Sequence, residues 1–268
     1  MAERLGYSMA ARKGRVLAGI AAALALSCAQ AQAASRELVF VSQAFPPFIE
    51  QSEDGRVSGA LVTILQEACR RLNWRCSMQM MVWKRALLMI EQGKADGMLL
   101  AQDAPERRAT MELSLPVLSS RYGLYVQSGA TFGYRKAADL AGHAMAVYGP
   151  SLSQTNCQRL IQGVPGVALE VEKDPETVLR KLSAGRYGAQ GVAFSNEDIA
   201  RYWIAQDGIS NLKRLASVQA LRYHYGFTRS RLQPGTVEAF NHALEAMCRD
   251  GTLKRLAEPS GVRLASCR

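Results

Sequence analysis

The residues best able to do chemistry in this 268-residue chain are its cysteines, five of which, Cys69, Cys76, Cys157, Cys248 and Cys267, lie beyond the first thirty-odd positions. No two of them form a CxxC pair, and the three histidines do not cluster with them, so neither a redox motif nor a metal site is expected. In an oxidising compartment such cysteines are read first as disulfides. Cys69 falls late in an expected helix and Cys76 at the start of the next strand, so a short staple between them is expected. Cys248, at the end of the last long helix, would pair with Cys267 and pin the C-terminal tail, leaving Cys157 as a buried thiol on an amphipathic helix. Catalytic signatures are missing: there is no Gly-x-Ser-x-Gly, no HExxH and no phosphate loop. No catalytic residue is assigned, and no cofactor or metal is expected.

The oxidising compartment is itself inferred from the chain's first residues. Arg4, Arg12, Lys13 and Arg15 precede an apolar run, Val16 to Leu26, and small residues follow it to Ala34. A basic region, a short apolar region and an Ala-x-Ala exit mark a secretory signal peptide over residues 1–33, with Ala29-Gln30-Ala31 and Ala31-Gln32-Ala33 as cleavage frames. Cys28 leaves a lipoprotein as the alternative. The run is shorter than the roughly 20 residues needed to span a bilayer, so an exported, periplasmic protein is expected. Part of the formal +10 charge belongs to this leader, which takes four basic residues with it against Glu3 alone. The remaining basic residues form no run and are not interleaved with aromatics, so nucleic acid is not expected as a partner. A composition of 48% hydrophobic and 21% charged residues is that of a globular chain, here expected to be a monomer.

Helices and strands alternate along the rest. The patterns predict strands over 37–42, 76–82, 97–100, 124–126, 144–148, 167–171, 189–194 and 223–227. Helices are predicted over 60–72 and 84–92, from Ser151, from Asp174 to Gly185, and through Val237, Phe240, Leu244 and Met247. Asp174 is expected to cap its helix with Pro175 in the first turn, and Ser195 with Asp198 to form a capping box at the next one. This order predicts an α/β fold with mainly parallel sheets flanked by helices. Ligands of such sheets bind beyond the carboxyl ends of the strands, which directs attention to the turns at Gln43–Phe48, Trp83–Arg85, Ala101–Arg107 and Gly149–Ser153. In the last of these, Ser151 and Ser153 sit where a helix start would offer free N–H groups to an anion, or simply cap it.

Those turns carry a resemblance. Phe45-Pro46-Pro47-Phe48, with Gly55 and Gly59 opening a helix, resembles the start of the bacterial solute-binding proteins of family 3. The likeness continues through Gly93-Lys94-Ala95-Asp96-Gly97, then Pro105-Glu106-Arg107 followed by Ser114 and Pro116, then Leu179–Arg186, and closes on Tyr225-Gly226-Phe227 and Asp250-Gly251-Thr252-Leu253. Each motif is weak alone; the ordered set is not. The resemblance implies the two-lobe periplasmic binding protein fold of type II. Residues 36–125 plus 228–268 would form one lobe and 126–227 the other, joined by two hinge strands that close on a ligand. It also implies delivery of that ligand to an ABC transporter, with a ligand sensor on a membrane receptor, or a dehydratase-like enzyme for cyclic carboxylates, as alternatives.

For the site, the resemblance places Arg107 where the family clamps a ligand carboxylate, a task suited to a planar guanidinium with two parallel donors. Trp83 and Phe45 would pack on the ligand from opposite sides, and Gln102 and Asp103 would supply hydrogen bonds from a strand-end turn. Lys84 and Arg85 read as solvated helix-start residues. One departure stands out. Amino-acid binders of this family hold the ligand ammonium with an acid in the second lobe, yet the segment from Gly188 to Asn196 contains none. Either Glu197 or Asp198 turns inward, or the ligand is not a simple α-amino acid.

Overall fold

The computed structural model describes residues 37–265, and the expected signal peptide, Cys28 and Cys267 lie outside the described residues. The first half of the chain contributes strands β1 (Glu37–Ser42), β2 (Glu50–Gln51) and β3 (Val57–Ser58), helix α1 (Ala60–Arg71), β4 (Arg75–Met80), α2 (Trp83–Glu91), β5 (Gly97–Gln102), α3 (Pro105–Thr110), β6 (Met111–Leu113) and β7 (Leu118–Gln127). There follow β8 (Ala144–Tyr148), α4 (Leu152–Ile161), β9 (Ala168–Glu172), α5 (Pro175–Ser183), β10 (Val192–Asn196), α6 (Glu197–Gln206), β11 (Leu212–Thr228), α7 (Thr236–Arg249), α8 (Thr252–Ala257) and β12 (Arg263–Leu264).

The sheet runs β4-β1-β5-β11-β7-β10-β8-β9. Its outer thirds are parallel: β1 lies between β4 and β5, and β8 between β9 and β10. Between them runs an antiparallel pair, β11 with β7, which pairs antiparallel to β5 on one side and β10 on the other. The α/β reading therefore holds, with the parallel character confined to two triplets and a long antiparallel pair joining them.

That pair is where the sequence reading fell short. Strands expected over 124–126 and 223–227 extend to ten and seventeen residues. In β7 buried positions run from Leu118 through Ser120 and Tyr122 to Leu124 and Val126, with small and polar residues among them, whereas in β11 the continuous apolar signature is confined to Tyr223 to Phe227. Most of residues 212–220 are exposed or half-buried, and two bulges interrupt their pairing with β7, so no period-2 pattern survives to be read.

Each triplet packs its helices by the spacing its sequence announces. In α1, Leu61, Ile64, Leu65 and Ala68 recur on one buried face, and Tyr225 and Phe240 meet edge to face at 5.3 Å in the core beneath it. A smaller cluster, Val41, Ala86, Ile90, Met98 and Met111, seats α2 against β1 and β5. The approach of β11 to β5 requires glycine at position 97, where a Cβ would lie 2.5 Å from the Gly226 carbonyl oxygen and 2.6 Å from the Phe40 ring. Cys69 and Cys76 are joined as expected, tying the end of α1 to β4. Cys248 also carries a disulfide. Cys157 is a buried free thiol, and burial pushes its pKa up to about 12.

Asp174 caps α5 through the Thr177 N–H at 2.6 Å, as expected. The capping box does not form. Asn196, not Ser195, caps α6, accepting the N–H groups of Asp198 and Ile199, while the Ser195 hydroxyl turns to the Asn196 carbonyl. Strand β10 runs through Ser195 to Asn196, so the cap falls one residue later, on the first side chain free to fold back over the helix start.

Candidate functional site

The carboxyl ends of β1, β5 and β8 open toward one place, and four turns deliver side chains to it. After β1 come Gln43 and Phe45. After β4, Trp83 begins α2. At the end of β5 are Leu100 and Gln102, with Arg107 following on α3. At the end of β8 is Tyr148, followed by Ser151, Leu152 and Ser153 at the start of α4. Together these residues line a cavity of about 30 Å³. A second cavity of about 10 Å³ shares Phe45, Tyr148 and Ser153 and reaches Phe194, Ser195 and Asn196 at the end of β10.

Contacts across this space are short. The Phe45 and Tyr148 rings lie 6.1 Å apart, and the Gln43 amide donates to the Tyr148 hydroxyl at 3.0 Å. The Gln43 carbonyl oxygen also accepts the Trp83 N–H at 3.2 Å. Deeper in, the Gln102 amide donates to the Tyr122 hydroxyl at 3.1 Å, which in turn lies 3.2 Å from the Ser153 hydroxyl. Leu100 takes a left-handed backbone conformation, φ 63°, inside β5. A non-glycine residue rarely does so, and such strain collects at functional sites.

Arg107 dominates the electrostatics. Its side chain comes from the short helix α3, whose first turn carries Pro105, and it is only 9% exposed. The guanidinium carbon lies 5.5 Å from the centre of the Trp83 ring, a cation–π contact. Among the described residues Arg107 forms no ion pair; its Nε and the Trp83 Nε1 are both buried donors without an acceptor. Burial pulls the Arg107 pKa below the ordinary guanidinium value, only partly offset by Glu106 and Glu91, yet an arginine stays protonated at any working pH. A buried cation and a buried N–H without acceptors are costly. Together they form a pair of donors whose chemistry suits an oxyanion.

The other expected residues divide. Phe45, Trp83, Gln102, Arg107, Ser151 and Ser153 meet at the cavity. Ser151 acts there as the α4 cap: its hydroxyl donates to the Tyr148 carbonyl at 2.7 Å and accepts the N–H groups of Ser153 and Gln154. Asp103 and Glu197 do not join them. Asp103 lies on a wider neighbouring groove and is held by Arg108 through two bonds of 2.5 and 2.7 Å. Glu197 turns inward, but toward β11, where Arg214 holds it at 2.8 Å and the Ser217 hydroxyl also donates to it. Asp198 turns inward as well and is taken by Arg201 and the Ser120 hydroxyl. The reason is the helix they begin: α6 packs against β7 and β11, so its first-turn carboxylates face those strands. Lys84 and Arg85 are exposed, as expected.

Sequence reasoning did not single out Gln43, Leu100, Tyr122, Tyr148 or Leu152. Tyr148 had a usable signal, since it is the last residue of a strand whose following turn was already suspected. Tyr122 stands in the alternation of Leu118, Tyr122, Leu124 and Val126 along β7, of which the expected strand over 124–126 took up only the end.

The comparisons with known proteins bear on the family and the fold. Residues 38–259 match the family model of the bacterial extracellular solute-binding proteins, family 3. The L-cystine-binding protein TcyJ of Escherichia coli K12 is 25% identical over 231 residues, which span 82% of this chain and 80% of TcyJ. A histidine kinase sensor domain with similarity to periplasmic binding proteins superposes with a TM-score of 0.75 at 16% identity, over 87% of this chain and 98% of that one. An ancestral arginine-binding protein bound to arginine gives 0.72 at 20% identity, over 84% and 97%. At such identities these two structures speak for the fold alone.

Proposed function

The chain belongs to the bacterial extracellular solute-binding proteins of family 3, and from that premise we propose that it captures a small carboxylate-bearing solute between its two sheet triplets. In this reading the protein is periplasmic, follows a cleaved signal peptide, and delivers the solute to an ABC transporter. The two triplets are the cores of two lobes, residues 36–125 plus 228–268 and residues 126–227. The β7–β11 pair is the hinge about which they close. Arg107 clamps the carboxylate, with the Trp83 Nε1–H as a further donor. Phe45, Trp83 and Tyr148 pack on the rest of the solute, and Gln43, Gln102, Ser151 and Ser153 form the polar part of the wall, held in place by their own hydrogen bonds.

The observation that carries the reading is the buried, unpaired Arg107 at the meeting point of the strand ends. A ligand carboxylate would satisfy it with a bidentate, charge-assisted contact that the protein itself does not provide. Binding rather than turnover is supported by the family, whose members are solute-binding proteins.

The test is a thermal-shift screen of the exported chain against amino acids, including L-cystine and arginine, and against small mono- and dicarboxylates. A ligand at 100 times its Kd raises stability by about 2.7 kcal/mol. At least one carboxylate is expected to produce such a shift, and Arg107→Ala to abolish it. Shifts retained in Arg107→Ala would remove the clamp from the reading, and silence across the whole panel would count against a carboxylate solute.

A further inference from the structure

We infer that the solute held by Arg107 carries no ammonium group: the site selects amine-free carboxylates over the α-amino acids of the same carbon skeleton. The inference rests on the proposed function and sharpens it.

The charge balance of the cleft carries the argument. Among the described residues lining the two joined cavities there is one charged side chain, Arg107, and no carboxylate. Glu106 and Glu91, whose charges reach Arg107, are exposed and line neither cavity, and the acids at the neighbouring strand ends and helix starts are engaged elsewhere. Asp103 is bound by Arg108, Glu197 by Arg214 and Ser217, Asp198 by Arg201 and Ser120, and Asp174 by the N–H and hydroxyl of Thr177. None of these faces the cavities, and freeing one would break a structural contact at a helix start or between a helix and a strand.

A deprotonated, amine-free acid entering this site cancels the charge of Arg107. An α-amino acid does not: its carboxylate cancels the guanidinium, and its ammonium then stands as a new buried cation. Without a counter-charge such a cation is strongly disfavoured, more so beside a guanidinium. The neutral acceptors offer little relief, because Gln43 and Tyr148 are bonded to each other, as are Gln102 and Tyr122, and Ser151 caps α4. The walls contributed by Phe45, Leu100 and Leu152 are apolar and offer an ammonium no counter-charge.

The experiment is isothermal titration with acids matched in skeleton: propionate and alanine, 4-methylpentanoate and leucine, glutarate and glutamate, 3-phenylpropionate and phenylalanine. In the pair that binds best, the amine-free acid is expected to bind at least 100-fold more tightly. An amino acid binding as tightly as its partner would overturn the inference while leaving the proposed function standing. Tighter binding of the N-trimethylated amino acid would also overturn it, since the aromatic walls would then be holding a cation. If no carboxylate binds at all, the proposed function falls and takes the inference with it. A second variant tests the charge balance directly. Ser153→Asp places a carboxylate on both cavities, in the first turn of α4 where an acid is well tolerated. It should shift the preference toward the amino acid by at least tenfold; an unchanged ratio in the folded variant would refute the charge argument.

Discussion

The start of α3 and the start of α6 each bury charge, and they do so in opposite ways. At α6, Asp198 is 1% exposed and Glu197 is 7% exposed, yet every carboxylate oxygen has a donor: Arg201 and Ser120 for one residue, Arg214 and Ser217 for the other. At α3, Arg107 is 9% exposed and its Nε has no acceptor. A paired buried charge joins one element to another, here α6 to β7 and β11. Among the described residues the Arg107 guanidinium meets the Trp83 ring but no carboxylate, and it is this charge that the proposed function assigns to a ligand carboxylate.

The sharpest way to break this comparison is at Asp198. Replacing it with Ala removes a charge-assisted acceptor from both Ser120 and Arg201 and should cost about 2–3 kcal/mol in denaturant unfolding. A loss below a few tenths would show that the α6 charges are ornamental. Glu197→Gln keeps the shape and part of the hydrogen bonding but not the charge. Because Arg214 is half-exposed, the loss should be only about 1 kcal/mol, with ligand binding unchanged. Arg107→Met should do the reverse: binding disappears, while the ligand-free melting temperature stays level or rises, since an uncompensated buried cation is exchanged for an apolar side chain of similar reach. A clear fall in stability would make Arg107 a structural residue after all.

A fourth buried titratable group extends the comparison to pH. His224, on β11, is 7% exposed and its Nδ1 donates to the Ser114 carbonyl at 2.7 Å. Burial lowers its pKa below the ordinary value of 6.5. The unfolded chain therefore takes up a proton at a higher pH than the folded one. Stability is fully present above about pH 6.5 and is lost as the pH falls below it, by at most about 1.4 kcal/mol per pH unit. His224→Asn should flatten that part of the profile, measured as the urea midpoint between pH 7.5 and 5.5. An unaltered slope would assign the pH dependence to other groups.

Much of the fold was legible because it is local. The α1 stripe, the Asp174 cap with Pro175, and the strands at 37–42 and 144–148 are written in neighbouring residues and reappear at those positions. The Cys69–Cys76 staple was legible for the same reason. The full length of the central strands was not, since the exposed, bulged half of β11 lacks the alternation that marks a half-buried strand, and in β7 serine at positions 119 and 120 and Arg121 interrupt the apolar run. The cap of α6 was misplaced by one residue, because Ser195 and Asn196 are equally good capping residues in sequence and only the end of β10 chooses between them.

Of the site, the residue types and their order along the chain were fixed by the sequence itself: Phe45, Trp83, Gln102, Arg107, Ser151 and Ser153 stand at the strand-end turns of an alternating fold. Only the tertiary structure decided which charges remain open. Whether Glu197 faces the cleft or Arg214, and whether Asp103 faces a ligand or Arg108, depends on how α6 packs across β7 and β11 and how α3 leaves β5. Those choices are made by contacts between elements distant in sequence, and a linear pattern of residues does not encode the direction in which a helix turns its first carboxylate.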